Sequence, residues 1–264
     1  MGLVDRFRMD GYGVVVTGSG QGIGRGIAVG LAEAGANVVV TARRQGDLEE
    51  TARLIEAAGA RAVIVAGDIR EDGINDRLAK AAVSAFGRLA TWVNNVGGSD
   101  EKATRLLVDT PDEIWRSQLE LNLTAAFIGA KAAAHRMTNG GCIINISSGA
   151  GMRGSPRTGP YAAAKAAMLN LTQTMALELA PRIRVNAVSP GQVPTEAFLQ
   201  VLEADESRLA EMAAATPLAR LGTPEDIAAA VLFLASPAGS WVTGEHILVA
   251  GGRRERRGGT ERYG

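Results

Sequence analysis

The amino-acid sequence predicts an α/β fold: one domain built on a doubly wound parallel sheet of about seven strands, with helices on both faces. Two patterns carry that expectation. Short β-branched runs alternate with longer alanine-rich segments almost from end to end, and the runs are continuously apolar instead of alternating with polar residues. A strand apolar at every position is buried on both faces, so helices must cover it above and below. At 264 residues and 46% hydrophobic, with no stretch that reads as a linker, the chain can bury such a core in a single domain.

The runs are "GVVVT" (13–17), "NVVVTA" (37–42), "RAVIVAG" (61–67), "LATWVNN" (89–95), "GCIINIS" (141–147), "IRVNAVS" (183–189) and "HILVA" (246–250). Between them lie 22–34, 47–58, 74–86, 112–137, 160–180 and 224–235, each long enough for a helix and apolar at helical spacing. "TPDE" at 110 and "TPED" at 223 each offer a threonine N-cap, a proline at the first helical position and acids facing the positive helix end. The least regular stretches are 98–110, 149–159 and 191–222. In a parallel sheet the loops after strands gather at the edge where ligands bind, so these three are the expected substrate walls. Phe198, Leu199, Val201, Leu202 and Met212 are their apolar candidates, although residues at helical spacing also suit a core. Residues 1–252 are expected to form the catalytic domain. Residues 253–264, with five arginines against two glutamates, are expected to form a flexible basic tail.

Bulk chemistry narrows the function. The 28 basic and 28 acidic residues cancel, so no global field draws the chain to nucleic acid or to an anionic membrane, and small-molecule chemistry is the default. No stretch reaches the ~18 consecutive apolar residues of a membrane span, and "MGLVDRFRMD" has no apolar secretory region. Cys142 has no partner for an internal disulfide and sits inside "CIINI", which suits a buried thiol in a reducing cytoplasm. His135 and His246 are far apart, and no Cys, His and carboxylate cluster has metal-ligand spacing, so no metal is expected.

"VVVTGSGQGIGRGIAVGLAEAG" places a glycine-rich turn between a buried strand and an amphipathic helix. Backbone there must pass close to a pyrophosphate, whose charge is received by free N–H groups at the helix start. Gly18, Gly22 and Gly24 are the turn, approach and packing glycines, and a ligand-free tight turn is the alternative. At the end of the second run, where an acid would bond the ribose hydroxyls of NAD, stand Ala42, Arg43 and Arg44. An arginine at that place pairs with a 2′-phosphate, so NADP is expected, with NAD as the alternative if Arg43 is only a solvated charge.

"GPYAAAKAAM" at 159 puts Tyr161 and Lys165 four apart, on one face of a helix. A lysine ammonium beside a phenol favours the phenolate, which is what proton exchange with an alcohol needs. Such a pair arises by chance in roughly one sequence in twenty of this composition, so its neighbours decide. Thirteen residues earlier "INISSGAG" ends a strand in two serines, and Ser148 is positioned to hold a substrate oxygen opposite the tyrosine, with Ser147 still in the strand.

These motifs resemble, in order and over the whole chain, the short-chain dehydrogenase/reductase family: "TGSGQGIG", "GDI" at 67, "NNVG" at 94, "LNL" around Asn122, Ser148, Tyr161 with Lys165, and "SPGQVPT" at 189. The resemblance implies a Rossmann-like domain. It also implies that Gln21 and Ile23 join the glycines against the cofactor, with Asp68 and Ile69 near the adenine and Asn95 and Gly97 near the adenosine ribose. Pro190, Gly191, Val193 and Thr195 would lie toward the carboxamide, Lys165 on the nicotinamide ribose, and Asn122 on a water that relays the proton. Val96 stands where alanine is usual and Ala250 where aspartate is common, neither of which removes catalytic chemistry. The implied activity is hydride transfer between NADP(H) and a secondary alcohol or ketone, with Ser148 and Tyr161 on the substrate oxygen. The loops are similar to those of bacterial hydroxysteroid dehydrogenases of the 7α type, which points to a bulky apolar substrate. A 3-oxoacyl thioester reductase and a sugar or polyol dehydrogenase are alternatives, and a catalytically silent cofactor-sensing regulator is the reading from another class. Pairing through the long helices at 112–137 and 160–180 implies a homotetramer or a homodimer.

Overall fold

Seven parallel strands are hydrogen-bonded in the order β3-β2-β1-β4-β5-β6-β7 in the computed structural model, which describes residues 2–99, 104–196, 198–199 and 205–252. They are β1 (Gly13–Thr17), β2 (Asn37–Thr41), β3 (Ala62–Ile64), β4 (Thr91–Asn94), β5 (Gly141–Ile146), β6 (Ile183–Pro190) and β7 (His246–Val249). The chain starts at β1, winds outward to β3, returns to β4 beside β1 and winds the other way to β7. That reversal opens a crevice at the carboxyl ends of β1 and β4, where ligands of doubly wound sheets bind.

The helices are α1 (Gly22–Glu33), α2 (Gln45–Ala57), α3 (Ile74–Phe86), α4 (Asp112–Leu119), α5 (Ala125–Arg136), α6 (Gly159–Leu179), α7 (Glu206–Ala214) and α8 (Pro224–Ala235). Alternate residues of each strand feed opposite cores. Val14, Val16, Val38, Val40 and Ile144 pack with Ile27 and Leu31 of α1 and Ile227 and Val231 of α8. Val15, Val39, Trp92, Ile143 and Val185 face Leu78 of α3, Ala130 of α5 and Met175 of α6. Both faces are therefore covered, as the continuous apolar runs require. Cys142 is a free, fully buried thiol whose pKa is pushed up by burial.

Four expectations change. The helix foreseen over 112–137 is interrupted by a π-turn at Glu120–Thr124. Asn122 causes the conflict: its Nδ2 donates to Gln118 O at 3.1 Å, the carbonyl that the α-helical ladder would give to its backbone N–H. Thr110 does not cap α4, because its Oγ1 donates to Leu106 O at 3.1 Å and closes the preceding 3-10 turn; Pro111 is the cap residue. Thr223 does cap α8, with a capping box to Asp226. The edge strand β3 is only three residues long, and the stretch 191–222 contains α7, capped by Asp205 through Arg208 N at 2.8 Å. The tail 253–264 lies outside the described residues.

Candidate active site

A cleft of about 1980 Å³ runs along the carboxyl edge of the sheet. It exceeds the ~300–1,000 Å³ of a drug-sized pocket and has room for a dinucleotide together with a substrate.

Its first wall is the turn between β1 and α1. Gly18 and Gly22 have φ of +66° and +54°, a left-handed conformation that favours glycine. Gly24 packs where a Cβ would run into the Gly18 carbonyl. Asn95, at the end of β4, donates from Nδ2 to Thr17 O at 2.9 Å and Gly18 O at 3.2 Å, so the turn is laced to the neighbouring strand. Gln21 precedes α1 in extended backbone and makes no side-chain cap, which leaves the first-turn N–H groups available to an anion. Ile23 lines the cleft beside them, and a Cβ on Gly22 would meet Thr195 Cγ2 at 2.9 Å, so the loop after β6 closes over this turn.

The arginines after β2 separate. Arg44 Nε lies 2.5 Å from Asp47 Oδ2 and its terminal nitrogen donates to Gln21 Oε1 at 2.6 Å. Arg43 is exposed in the cleft and makes no hydrogen bond or ion pair among the described residues. Across from it Arg70 donates to both Asp68 oxygens, at 3.0 and 2.6 Å, and holds that carboxyl at a pKa of about 2; Arg43 adds a smaller Coulombic pull. Ile69 beside it is buried.

The opposite end is built by β5 and α6. Four consecutive residues of the chain are tied to the helix. Asn145 Nδ2 donates to Thr172 Oγ1 at 2.9 Å, Ile146 O accepts from Lys165 Nζ at 2.9 Å, and Ser147 Oγ donates to Lys165 O at 3.0 Å. The fourth, Ser148, faces Tyr161 and draws its phenol pKa downward, while its Oγ also accepts from Ala150 N at 3.2 Å.

The electrostatics differ from the expectation for the pair. Burial raises the Tyr161 pKa, and the opposing influence is Ser148, not Lys165. Lys165 Nζ sits 5.8 Å from the Tyr161 ring centroid, and burial lowers its own pKa to about 7. An amine with its pKa lowered by burial carries less charge at neutral pH, which weakens its pull toward the phenolate.

Among the predicted catalytic and cofactor-binding residues, Asn122 alone does not line the cleft. It is fully buried, accepts from Gly98 N at 2.8 Å and donates to Gly98 O at 3.0 Å, fixing the strand-to-loop segment from behind. Between them Gly97 is required by close approach: a Cβ there would lie 2.6 Å from Asn122 Oδ1 and 2.9 Å from Lys165 Nζ. Pro190, Gly191, Val193 and Thr195 all line the cleft, and the Gly191 amide is held by Val249 O at 2.8 Å. Of the apolar wall candidates Phe198 lines the cleft; Leu199 and Met212 do not, and Val201 and Leu202 lie outside the described residues. Sequence reasoning missed Ser147 as a tether of Lys165 and Gln192 as a cleft residue. Their only signal was position next to a motif.

Several known proteins are similar to this chain in sequence or in fold. The family model described as Enoyl-(Acyl carrier protein) reductase matches residues 18–254. An uncharacterized oxidoreductase of Mycobacterium tuberculosis is 42% identical over 253 residues, 95% of each chain. The 7α-hydroxysteroid dehydrogenase of Escherichia coli K12 is 37% identical over 251 residues, 94% of this chain and 96% of its own. A solved structure of a 7α-hydroxysteroid dehydrogenase complexed with NADH and 7-oxo glycochenodeoxycholic acid superposes with a TM-score of 0.88 at 36% identity, covering 96% of this chain and 98% of that one.

Proposed function

The chain belongs to the short-chain dehydrogenase/reductase family and is an NAD(P)-dependent oxidoreductase; from that premise we propose that it moves hydride between NADP(H) and a bulky, largely apolar secondary alcohol or the corresponding ketone. The observation that carries the reading is the lacing of β5 to α6, which sets Ser148 against Tyr161 with Lys165 beneath them.

The cleft fits a dinucleotide: glycines stand where side chains would block backbone approach, and the first-turn N–H groups of α1 are uncapped. Gly18, Gln21, Gly22, Ile23 and Gly24 would hold its pyrophosphate, Asp68, Ile69, Asn95 and Gly97 its adenosine half, and Pro190, Gly191, Val193 and Thr195 its nicotinamide end. When bound, the nicotinamide supplies or accepts the hydride. Ser148 donates a hydrogen bond to the substrate oxygen, and Tyr161 gives that oxygen its proton in reduction or takes it in oxidation. Lys165 would hold the ribose hydroxyls, and Asn122 would order the path by which the proton reaches water. Preference for NADP is supported by Arg43, a guanidinium that makes no hydrogen bond or ion pair among the described residues at the place where an acid would select NAD.

A bulky apolar substrate is supported by Val96, Leu121, Met152 and Phe198 in the walls. Partly exposed Phe127 and Ile128 on α5 and exposed Leu177 on α6 support a homotetramer or homodimer paired through those helices, and the free thiol of Cys142 suits a cytoplasmic location. Nicotinamide absorbance followed with a panel of steroid, sugar and acyl-thioester ketones, with NADPH and NADH in parallel, tests the substrate and cofactor. Tyr161→Phe should abolish turnover with cofactor binding retained; a near-normal rate would remove Tyr161 from the mechanism.

A further inference from the structure

Two loops bordering the cleft each carry a buried polar atom that has no hydrogen-bond partner among the described residues: Ser99 Oγ and Gln192 Oε1. The backbone beneath both is fixed. Gly191 N donates to Val249 O at 2.8 Å and Gly222 N donates to Gln192 O at 2.9 Å, while Gly98, just before Ser99, is held on both its amide and its carbonyl by Asn122. Neither side chain is consumed by the fold, and the proton chemistry of Ser148 and Tyr161 uses neither. A buried acceptor left unpaired is costly, and the cost is relieved when a ligand or an ordered water donates to it. Leu121, Met152, Phe198 and Leu248 are among the apolar residues of the same cleft, where His246 Nε2 is also buried without a partner among the described residues, so an unpaired acceptor on Gln192 selects for a matching donor.

We propose that Gln192, with Ser99, forms a polar subsite in the substrate half of the cleft, and that the substrate is a ketone or secondary alcohol carrying at least one further hydroxyl or N–H that donates to Gln192 Oε1. This rests on the hydride-transfer reading above and narrows it. An unbranched 3-oxoacyl thioester has no O–H or N–H donor near its keto carbon and leaves Gln192 unpaired. A substrate lacking the donor would seal Gln192 Oε1 away from solvent without a hydrogen bond, and sites of that kind reject the deficient analogue strongly.

The test compares a steroid ketone bearing one additional ring hydroxyl with the same ketone lacking it, using the full-length protein, Gln192→Leu and the closer isostere Gln192→Met. Turnover is read from nicotinamide absorbance and cofactor Kd from fluorescence titration. The wild-type protein is expected to favour the hydroxylated ketone by ~10-fold or more in kcat/KM, and both variants to lose that preference with cofactor Kd at the wild-type value. No preference in the wild type, a preference that survives both substitutions, or a rise in cofactor Kd that accounts for the loss overturns the assignment of Gln192 while leaving hydride transfer in place. No turnover of either ketone, nor of any other ketone class, by the wild type overturns the hydride-transfer reading and this inference with it.

Discussion

Replacing Lys165 by methionine should stabilise the cofactor-free protein at neutral pH and destabilise it in alkali. Lys165 is 2% exposed, and burial lowers its pKa from 10.5 to about 7. In the unfolded chain the amine binds its proton more tightly than in the folded one, so between those values the unfolded state holds more protons and stability rises with pH. The lowered affinity costs the folded state about 5 kcal/mol below pH 6, about 4 kcal/mol at pH 7, about 2 kcal/mol at pH 9 and almost nothing above pH 10.5. Methionine fills nearly the same volume without that penalty, but it leaves the Ile146 carbonyl without the 2.9 Å bond from Nζ, which costs about 1–3 kcal/mol at every pH. The balance favours Lys165→Met by about 1–3 kcal/mol at pH 7, or roughly 2–6 °C in Tm for a chain of this size, and reverses near pH 9. Calorimetry of both proteins from pH 6 to 10.5 reads this directly. A difference of constant sign across that range would refute the claim that desolvation governs Lys165.

Three further outcomes follow from contacts already described. Gly97→Ala should fold but lose more than ~10-fold in kcat, because its Cβ meets Asn122 Oδ1 and Lys165 Nζ, two ends tied down by hydrogen bonds; steady-state rates beside circular dichroism separate the two effects. Arg43→Ala should raise KM for NADP by ~10-fold or more and leave KM for NAD nearly unchanged, and equal effects on both cofactors would show that Arg43 does not meet a 2′-phosphate. Thr223→Ala removes one side of the capping box on α8 and should cost about 1 kcal/mol, seen in the urea midpoint with activity per folded molecule unaltered.

The sheet was legible because burial on both faces leaves its mark on every residue of a strand, and β1 matches its run residue for residue. The edge strand β3 was read too long because its register with β2 ends at Ile64 opposite Val40, and beyond it only the Val65 and Gly67 amides still bond to β2, at Val40 O and Ala42 O; where pairing stops is a property of two segments. The break at Glu120–Thr124 had no pattern to announce it: the sequence there is helical, and only the bond from Asn122 to Gln118 O opens the turn. In the site, residues that belong to glycine-rich and Tyr-x-x-x-Lys spacing were found, because spacing encodes the elements that carry them. What spacing leaves out is partnership. Arg43 and Arg44 are equivalent in sequence and differ in space only because Asp47 and Gln21 claim one of them. Tyr161 and Lys165 are neighbours in any helix, yet the charge state of each depends on burial by the sheet and loops around them.

The direction of α6 connects that burial to the chemistry. Along β5 the tethers run Asn145, Ile146, Ser147, Ser148, and along α6 they run Thr172, Lys165, Lys165, Tyr161, so the helix is antiparallel to the strand and its N-terminus lies at the ligand edge. Tyr161 is the third residue of α6. It therefore sits in the first turn, where the positive end of the helix dipole favours an anion, against the burial that favours the neutral phenol. Lys165 lies one turn further in and gives its ammonium to a carbonyl at the end of β5. Burial outweighs the opposing influence of Ser148, so the phenol pKa stands above its ordinary value, and any positive charge that enters the cleft acts to bring it down.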